Sequence, residues 1–372
     1  MFMLILGYFV RSTFYDSFGY EPLTKISKMN FKQKEFEALT YEVSLCKFVD
    51  YHNNYGSGSP MLIQGAVHFM SLEKIILLIE NCVFCNCSGG GVYFSSQNSG
   101  SIVVTKTCAY KCHTSFNERS SGQFMYSASG PNMNNSLCFV SISQCSDTSS
   151  NYRYHSLYLL KGNQRFINSN SSKNYAYNYA ALSFDSPNPL ASSFSTIADN
   201  VPSHSICIYI HITVDNNDHY FLYCSFIRNT SPSDSGIFLI TNEFERTGVK
   251  YLTFNNCIFQ ENLNTLIHNN KKGLDLTSAY VMENCFINHQ YQLSIGFRKL
   301  QISSCVTASS NTDLYTFALF SPSFCDLFNI YNGDLVLPSP TECIFTDNSN
   351  LSIISNFVSS LVFLSSLYLF FE

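Results

Sequence analysis

From Tyr41 onward, apolar runs of three to six residues alternate with polar turns, and their parts return in a fixed order. Each unit carries an apolar run, a cysteine followed by an aromatic residue, a polar turn, a small residue and a second apolar run. Ile75-Ile76-Leu77-Leu78-Ile79, Cys82-Val83-Phe84, Gly89-Gly90-Gly91 and Val92-Tyr93-Phe94 make one such unit. Ile102-Val103-Val104, Cys108-Ala109-Tyr110, Ser121-Gly122 and Phe124-Met125-Tyr126 make the next. Later units place Ser156 before Leu157-Tyr158-Leu159, Ala180-Ala181 before Leu182-Ser183-Phe184, and Ser235-Gly236 before Ile237-Phe238-Leu239. Short runs rich in Val, Ile, Phe and Tyr, bounded by Asn, Ser and Gly, read as strands rather than as helical repeats.

A tighter motif, Cys-x-Phe-x-x-Asn, stands at Cys224/Phe226/Asn229, Cys257/Phe259/Asn262 and Cys343/Phe345/Asn348. Degenerate copies lie at Cys46/Phe48, Cys82/Phe84/Asn86 and Cys285/Phe286/Asn288. The anchors Cys82, Cys108 and Cys138, and later Cys224, Cys257, Cys285 and Cys305, recur at intervals of 20 to 33 residues. These are lengths for one coil of a solenoid with variable loops. The expected fold is all-β: a right-handed parallel β-helix of about ten irregular coils over residues 41–348. Coils stacked about 4.8 Å apart set like side chains in columns. Phe and Cys are expected inward, Asn at the corner after the Phe, and Gly or Ser at the bend before the second run.

Outside the repeat, residues 1–12, apolar from Met1 to Val10, read as a signal segment or a buried first strand. Residues 13–40 lack the pattern and read as a cap over the solenoid's open end. Asp185 to Asn217 is expected to be an extended loop or irregular coil, because Pro187, Pro189 and Pro202 interrupt the rhythm. Residues 349–372 form a hydrophobic C-terminal segment, within which Leu351 to Phe371 carry no charge. As a helix that stretch is long enough for a membrane span, and as strands it would close the solenoid.

Composition adds three constraints. Charged residues make up only 13% against 15% aromatic, and the formal net charge is −5 without a Lys/Arg stripe, which excludes nucleic acid as the expected partner. The 15 cysteines are odd in number, so they cannot all pair internally. Their place before an aromatic at one repeat position makes them core fillers first. Asn-x-Ser/Thr triplets at Asn86, Asn134, Asn170, Asn229 and Asn350 would be glycan acceptors in an exported chain.

Candidate chemistry is sparse, and no catalytic residue, cofactor or metal is assigned. Asn311-Thr312-Asp313 is similar to an element of polygalacturonases, but the further carboxylates of that chemistry are missing, so it reads as a polar turn. Asp215 and Asp218 gather oxygen ligands on one loop and are the candidate calcium ligands. Cys82, Cys85, Cys87, Cys108 and Cys112 are close enough for zinc, and Cys85, Cys87 and Cys112 for a disulfide among themselves, yet Cys82 and Cys108 are expected in the core column. The nine histidines form no metalloprotease pattern, and there is no nucleophile elbow or phosphate loop. Tyr175, Tyr177 and Tyr179 alternate at period two and could present a ring row.

The Phe-x-x-Asn elements at Phe226/Asn229, Phe259/Asn262 and Phe345/Asn348, with Gly90-Gly91-Val92-Tyr93, resemble the repeats of polymorphic membrane proteins and of β-helix surface protein families in trichomonads. The resemblance covers Tyr41 to Asn348. It implies a surface-exposed, in several cases adhesive, protein and brings no catalytic residues. The expected function is therefore a non-enzymatic cell-surface or membrane β-helix protein, with the membrane engaged through the C-terminal segment and a protein or glycan as ligand. Alternatives are a secreted form, a polysaccharide lyase or glycoside hydrolase on the same scaffold, and a purely structural or truncated solenoid.

Overall fold

The computed structural model describes residues 24–26, 40–44, 46–49, 65–71, 74–96, 99–113, 122–145, 155–213, 219–231, 236–242, 250–269, 279–288, 293–296 and 299–307. They form a parallel β-solenoid, the all-β class that the repeat predicts, and every strand pairing among them is parallel. The expected terminal segments, C-terminal helix, Cys343/Phe345/Asn348 copy and Asn311-Thr312-Asp313 turn lie outside these residues. Among the described residues, no helix is long and apolar enough to cross a membrane.

One coil shows how the sequence makes the bends. Tyr220–Leu222 runs into Tyr223, whose φ is 53°, then Ser225–Ile227, then Arg228 at φ 48°, and the third strand follows at Phe238–Asn242. Lys250–Asn255, Asn256 at φ 53°, Ile258–Gln260, Glu261 at φ 52° and Ile267–Asn269 repeat the same path. A single left-handed residue turns the chain without breaking the ladders on either side. First and second strands stack on their counterparts in neighbouring coils, and the third strands form a nine-stranded sheet of their own.

The structure moves the expected corner by one residue. Asn229 and Asn262 are not the left-handed positions; Arg228 and Glu261, just before them, are. The asparagines instead point inward and are completely or almost completely buried. They belong to a column of Asn174, Asn200, Asn229 and Asn262, each passing hydrogen bonds to the coil beside it. Asn262 Oδ1 accepts from the Asn229 backbone N–H at 3.0 Å and from its Nδ2 at 3.2 Å. Asn229 Oδ1 accepts likewise from Asn200 at 3.2 and 3.0 Å, and Asn200 Oδ1 accepts from the Asn174 N–H at 3.0 Å. The amide nitrogens also donate to carbonyls of the preceding coil, as Asn229 Nδ2 does to Ile197 at 2.8 Å. Cys87, Cys112 and Cys145 follow the corners Asn86, Lys111 and Gln144 in the same way, and the Cys145 N–H donates to Asn174 Oδ1.

The other cysteine column has a similar logic. Cys82, Cys224, Cys257 and Cys285 each follow a left-handed residue and are buried. Cys257 Sγ donates to the Phe221 and Asn255 carbonyls, both at 3.4 Å, and Cys285 Sγ to those of Phe254 and Glu283. Ser169 and Ser195 take the equivalent place elsewhere and bond carbonyls with their hydroxyls. The position therefore selects a small donor that satisfies carbonyls next to the bend, and a filler role alone is too simple. Burial pushes the Cys145, Cys207 and Cys257 thiols up, which keeps them protonated. Cys108 departs from its expected column. It pairs in register with Val83, while Thr107, after the left-handed Lys106, follows its corner as Cys82 follows Asn81. Cys108 is held in a disulfide.

Rings fill the space between these columns. Phe48 stacks on Phe84 at 4.7 Å, Phe221 on Phe254 at 5.2 Å and Phe226 on Phe259 at 5.1 Å. Phe238, from the third strand, meets Phe226 and Phe254 edge-on at 5.0 and 5.2 Å. Small residues at the last bend follow from crowding: a Cβ on Gly91 would come within 2.8 Å of the Phe124 carbonyl oxygen.

Residues 185–213 carry strands that join the ladders of the neighbouring coils rather than the expected extended loop or irregular coil. Leu190–Ser193, Thr196–Ala198 and Ile206–Ile212 join the ladders, with Leu190, Ile197 and Ile208 buried. The prolines avoid conflict by position: Pro187 and Pro189 lie between strands, and Pro202 ends the two-residue strand Val201–Pro202. Two of the sequons are also explained away. Asn170 and Asn229 are buried in the coil, so the folded chain does not present their amides to a glycan donor.

Replacing Asn229 with Leu should cost about 2 to 3 kcal/mol by stranding the buried Asn200 N–H donors. Breaking the exposed bidentate Arg228–Asp199 pair in Arg228→Ala should cost less than about 1 kcal/mol. Urea titration reads both, and equal midpoints would contradict the ladder's role. Cys257→Ser should stay within about 1 kcal/mol of the native chain, while Cys257→Leu should lose about 1 to 3 kcal/mol by overpacking.

Candidate functional site: an aromatic face on the nine-stranded sheet

Third strands alternate inward and outward residues, so a repeated apolar-Tyr-apolar triplet sets its ring outside on every coil. Registers align His68 with Tyr93, Tyr93 with Tyr126 and Tyr126 with Tyr158. The first two pairs stack at centroid distances of 4.8 and 5.0 Å, and Tyr126 and Tyr158 meet tilted at 5.4 Å. The next residue in that column is Ser183, and the row sidesteps it. Tyr158 stacks on His155 at 4.3 Å, His155 meets Tyr179 tilted at 4.7 Å, and Tyr179 stacks on Tyr209 at 4.7 Å. The row thus crosses six successive strands, from Val67–Met70 to Ile206–Ile212. Tyr126 and His155 are buried, while Tyr93, Tyr158, Tyr179 and Tyr209 are half-buried and keep part of their surface open.

A polar group borders the row at its centre. Asp185 ends one third strand, and its register partner on the next is His211. Asp185 Oδ1 lies 3.0 Å from His211 Nδ1 and accepts from Ser186 Oγ at 2.8 Å; Asp185 Oδ2 accepts from the Tyr158 hydroxyl at 2.7 Å. Burial alone would raise the carboxyl, but these hydrogen bonds outweigh it and hold it below the usual carboxylate range. Burial, reinforced by the same carboxylate, keeps the Tyr158 phenol protonated well above its ordinary value. The Tyr209 hydroxyl accepts from Thr241 Oγ1 at 3.3 Å. Two rings of the row are therefore fixed by their hydroxyls as well as by stacking.

The nine strands contain no Lys or Arg, and Asp185 is their one carboxylate. Because the rings stack on one another, the row turns ring edges rather than faces outward, beside the polar group around Asp185. Smaller aromatic features lie elsewhere: Phe194 and Tyr223, both left-handed corner residues, stack 5.1 Å apart on the outer edge between first and second strands.

Of the expected site residues, Asp215 and Asp218 lie outside the described residues. Among the described residues, no group of three His, Cys, Asp or Glu side chains is placed to hold a metal. The proposed zinc cysteines are divided between columns, with Cys82 in one and Cys87 and Cys112 in the other. Tyr175, Tyr177 and Tyr179 do not make a common row, because the chain bends between them. Tyr175 enters the short strand Tyr175–Ala176, Tyr177 stacks on His204 at 4.7 Å, and only Tyr179 joins the outward face. The row runs across coils rather than along one strand. Its signal was present in Val92-Tyr93-Phe94, Leu157-Tyr158-Leu159 and Ile208-Tyr209-Ile210, read at the coil interval.

Comparison with known families, curated proteins and solved structures finds no match to this chain. The parallel solenoid stands on its own geometry, and the site rests on the residues that the coils bring together.

Burial holds His155 at about 3, below the ordinary histidine value, despite an opposing pull from Asp185. The unfolded chain then binds a proton more readily between those values, so stability is full above about pH 6.5 and falls on acidification. The expected loss is roughly 1.4 kcal/mol per pH unit in that window. Urea titrations of native protein and His155→Phe at a series of pH values should show this slope in the first and its loss in the second. Parallel curves would remove His155 as the source.

Proposed function

We propose that this chain is a non-enzymatic recognition protein of the cell surface, a β-helix that engages its ligand through the outward aromatic row. The observation that carries this reading is the row itself: rings on six successive strands, with Tyr93, Tyr158, Tyr179 and Tyr209 partly open, held in place by ring contacts and by the Asp185 cluster. Half-buried tyrosines suit recognition because they present large rigid surfaces at low entropic cost. Binding is favoured over cleavage by the carboxylate count. Hydrolysis of a glycosidic bond generally uses two carboxyl groups, and the nine strands supply one, already accepting three hydrogen bonds.

Export and membrane attachment complete the proposal. The apolar segments 1–12 and 349–372 would supply leader and anchor, and the resemblance of the Phe-x-x-Asn and Gly-Gly elements to polymorphic membrane proteins and trichomonad β-helix families agrees with display at a surface.

Two measurements check this. Purified protein carrying Tyr93→Ala and Tyr209→Ala should lose at least about tenfold in binding to an array of surface glycans and proteins, since each lost stacking contact is worth about 0.5 to 1.5 kcal/mol. Unchanged binding with an unchanged melting curve would reject the face. The full chain should fractionate with membranes and a 349–372 deletion should not; a soluble full chain would reject the anchor.

A further inference from the structure

We infer that the column Cys224, Cys257, Cys285 and Cys305 is a thiol–disulfide exchange site: Cys305 reacts with a low-molecular-weight disulfide such as oxidised glutathione, and the three thiols behind it pass the new disulfide inward. The inference is independent of the recognition reading above. It starts from the backbone. The Cys224, Cys257 and Cys285 carbonyls accept from the Ile258, Phe286 and Val306 N–H groups, each at 2.9 Å, so the four cysteines stand side by side on successive coils. Parallel neighbours about 4.8 Å apart lie within the Cα separation of about 4.4 to 6.8 Å that a disulfide spans. The side chains meet as well. Cys257 hydrogen-bonds Cys224 and Cys285, Cys285 hydrogen-bonds Cys305, and the Cys285 N–H donates to Cys305 Sγ at 3.4 Å.

Access sets this column apart. Cys224, Cys257 and Cys285 are almost completely buried, whereas Cys305, the last of the file among the described residues, is half-buried. At the other end the neighbouring coil places Ser195 beside Cys224, so the sulfur file stops there. The second cysteine column, Cys87, Cys112 and Cys145, is buried at all three members and has no such entrance.

A thiolate attacks a disulfide through a mixed disulfide. Cys305 attacks oxidised glutathione, forms a Cys305–glutathione bond and releases one glutathione thiolate. Cys285 then attacks Cys305 Sγ: the Cys285–Cys305 bond forms, the bond to glutathione breaks, and the second glutathione thiolate leaves. The two protein protons end on the two released glutathiones. The hydrogen bond from Cys257 holds the Cys285 thiol below its ordinary value, which favours this attack. Cys257 next attacks Cys285 and releases Cys305, and Cys224 attacks Cys257 and releases Cys285; each freed thiolate takes the proton its attacker lost. Exchange needs the incoming sulfur in line with the bond it breaks, and sulfurs stacked along the solenoid axis supply that alignment. A second oxidant molecule repeats the entry and leaves Cys224–Cys257 and Cys285–Cys305 disulfides. Pairing withdraws S–H donors from the Phe221, Phe254 and Met282 carbonyls, so these bonds are readily reduced again.

The test incubates the reduced full chain with oxidised glutathione, quenches samples with N-ethylmaleimide and maps the peptides by mass spectrometry. The expected order is a glutathione adduct on Cys305, a Cys285–Cys305 disulfide, then disulfides reaching Cys224, while Cys87, Cys112 and Cys145 stay reduced. Cys305→Ser should slow oxidation of Cys224, Cys257 and Cys285 at least about tenfold, since buried thiols then react only when the fold opens. Cys285→Ser should stop at the Cys305 adduct. Serine already fills the position at Ser195, and melting curves check that both variants fold; the order of products in the native chain decides the matter without them. A native chain that stops at the adduct, or forms no disulfide among these four cysteines, would overturn the inference. So would oxidation of Cys224 at the native rate in Cys305→Ser, or oxidation of Cys87, Cys112 and Cys145 as fast as Cys285.

Discussion

The fold depends on how a chain turns a corner without leaving buried backbone groups unsatisfied. One left-handed residue bends each coil between strands, and the residue after it points inward and bonds the neighbouring coil. Left-handed geometry at non-glycine residues is unfavourable in isolation. Here it recurs at Asn81, Lys106, Phe139, Asn168, Phe194, Tyr223, Asn256, Asn284 and Ser304, and at a second corner from Asn86 to Glu261. Its cost is offset because almost every bend places an Asn, Cys, Ser or Thr where it can bond backbone beside it; Val140, after Phe139, instead gives its N–H to the Ser169 hydroxyl of the next coil. Once the corners agree, the registers of all strands between them agree too.

Function follows from the same register. A side chain at a given offset from the corner must stack on its counterpart, whatever its identity. Inside, this yields columns of Phe, Cys and Asn; outside, on the nine-stranded sheet, it yields the ring row and the pairing of Asp185 with His211. At the outer corners it pairs Arg228 with Asp199 and Phe194 with Tyr223. A solenoid therefore converts a repeated sequence offset into a linear surface feature.

Much of this was legible in the sequence. The strand signals, the coil interval, and the burial of Phe84, Phe226, Phe259 and the cysteines Cys82, Cys224, Cys257 and Cys285 could be read from spacing and residue type. The corner could not be, because Asn suits both a left-handed bend and a buried amide ladder. Asn86 takes the first role and Asn229 the second, depending on a one-residue offset. Cys108 misled for the same reason: its spacing is right to within one residue, but one residue reverses the side of the sheet. Residues 185–213 were obscured by prolines that the coil accommodates between strands and at a strand end. The ring row was hidden because its members are some 25 to 35 residues apart, while the eye is drawn to Tyr175, Tyr177 and Tyr179, which the bend separates.

Hydrogen exchange resolved to single residues is the most direct measurement of the corner ladder. The account predicts that the amides of Cys145, Asn174, Asn200 and Asn229, all donated to asparagine side chains one coil away, exchange slowly and as one cooperative block with the flanking strands. Exchange of these four amides at the rate of the exposed turns, while the strands stay protected, would contradict it.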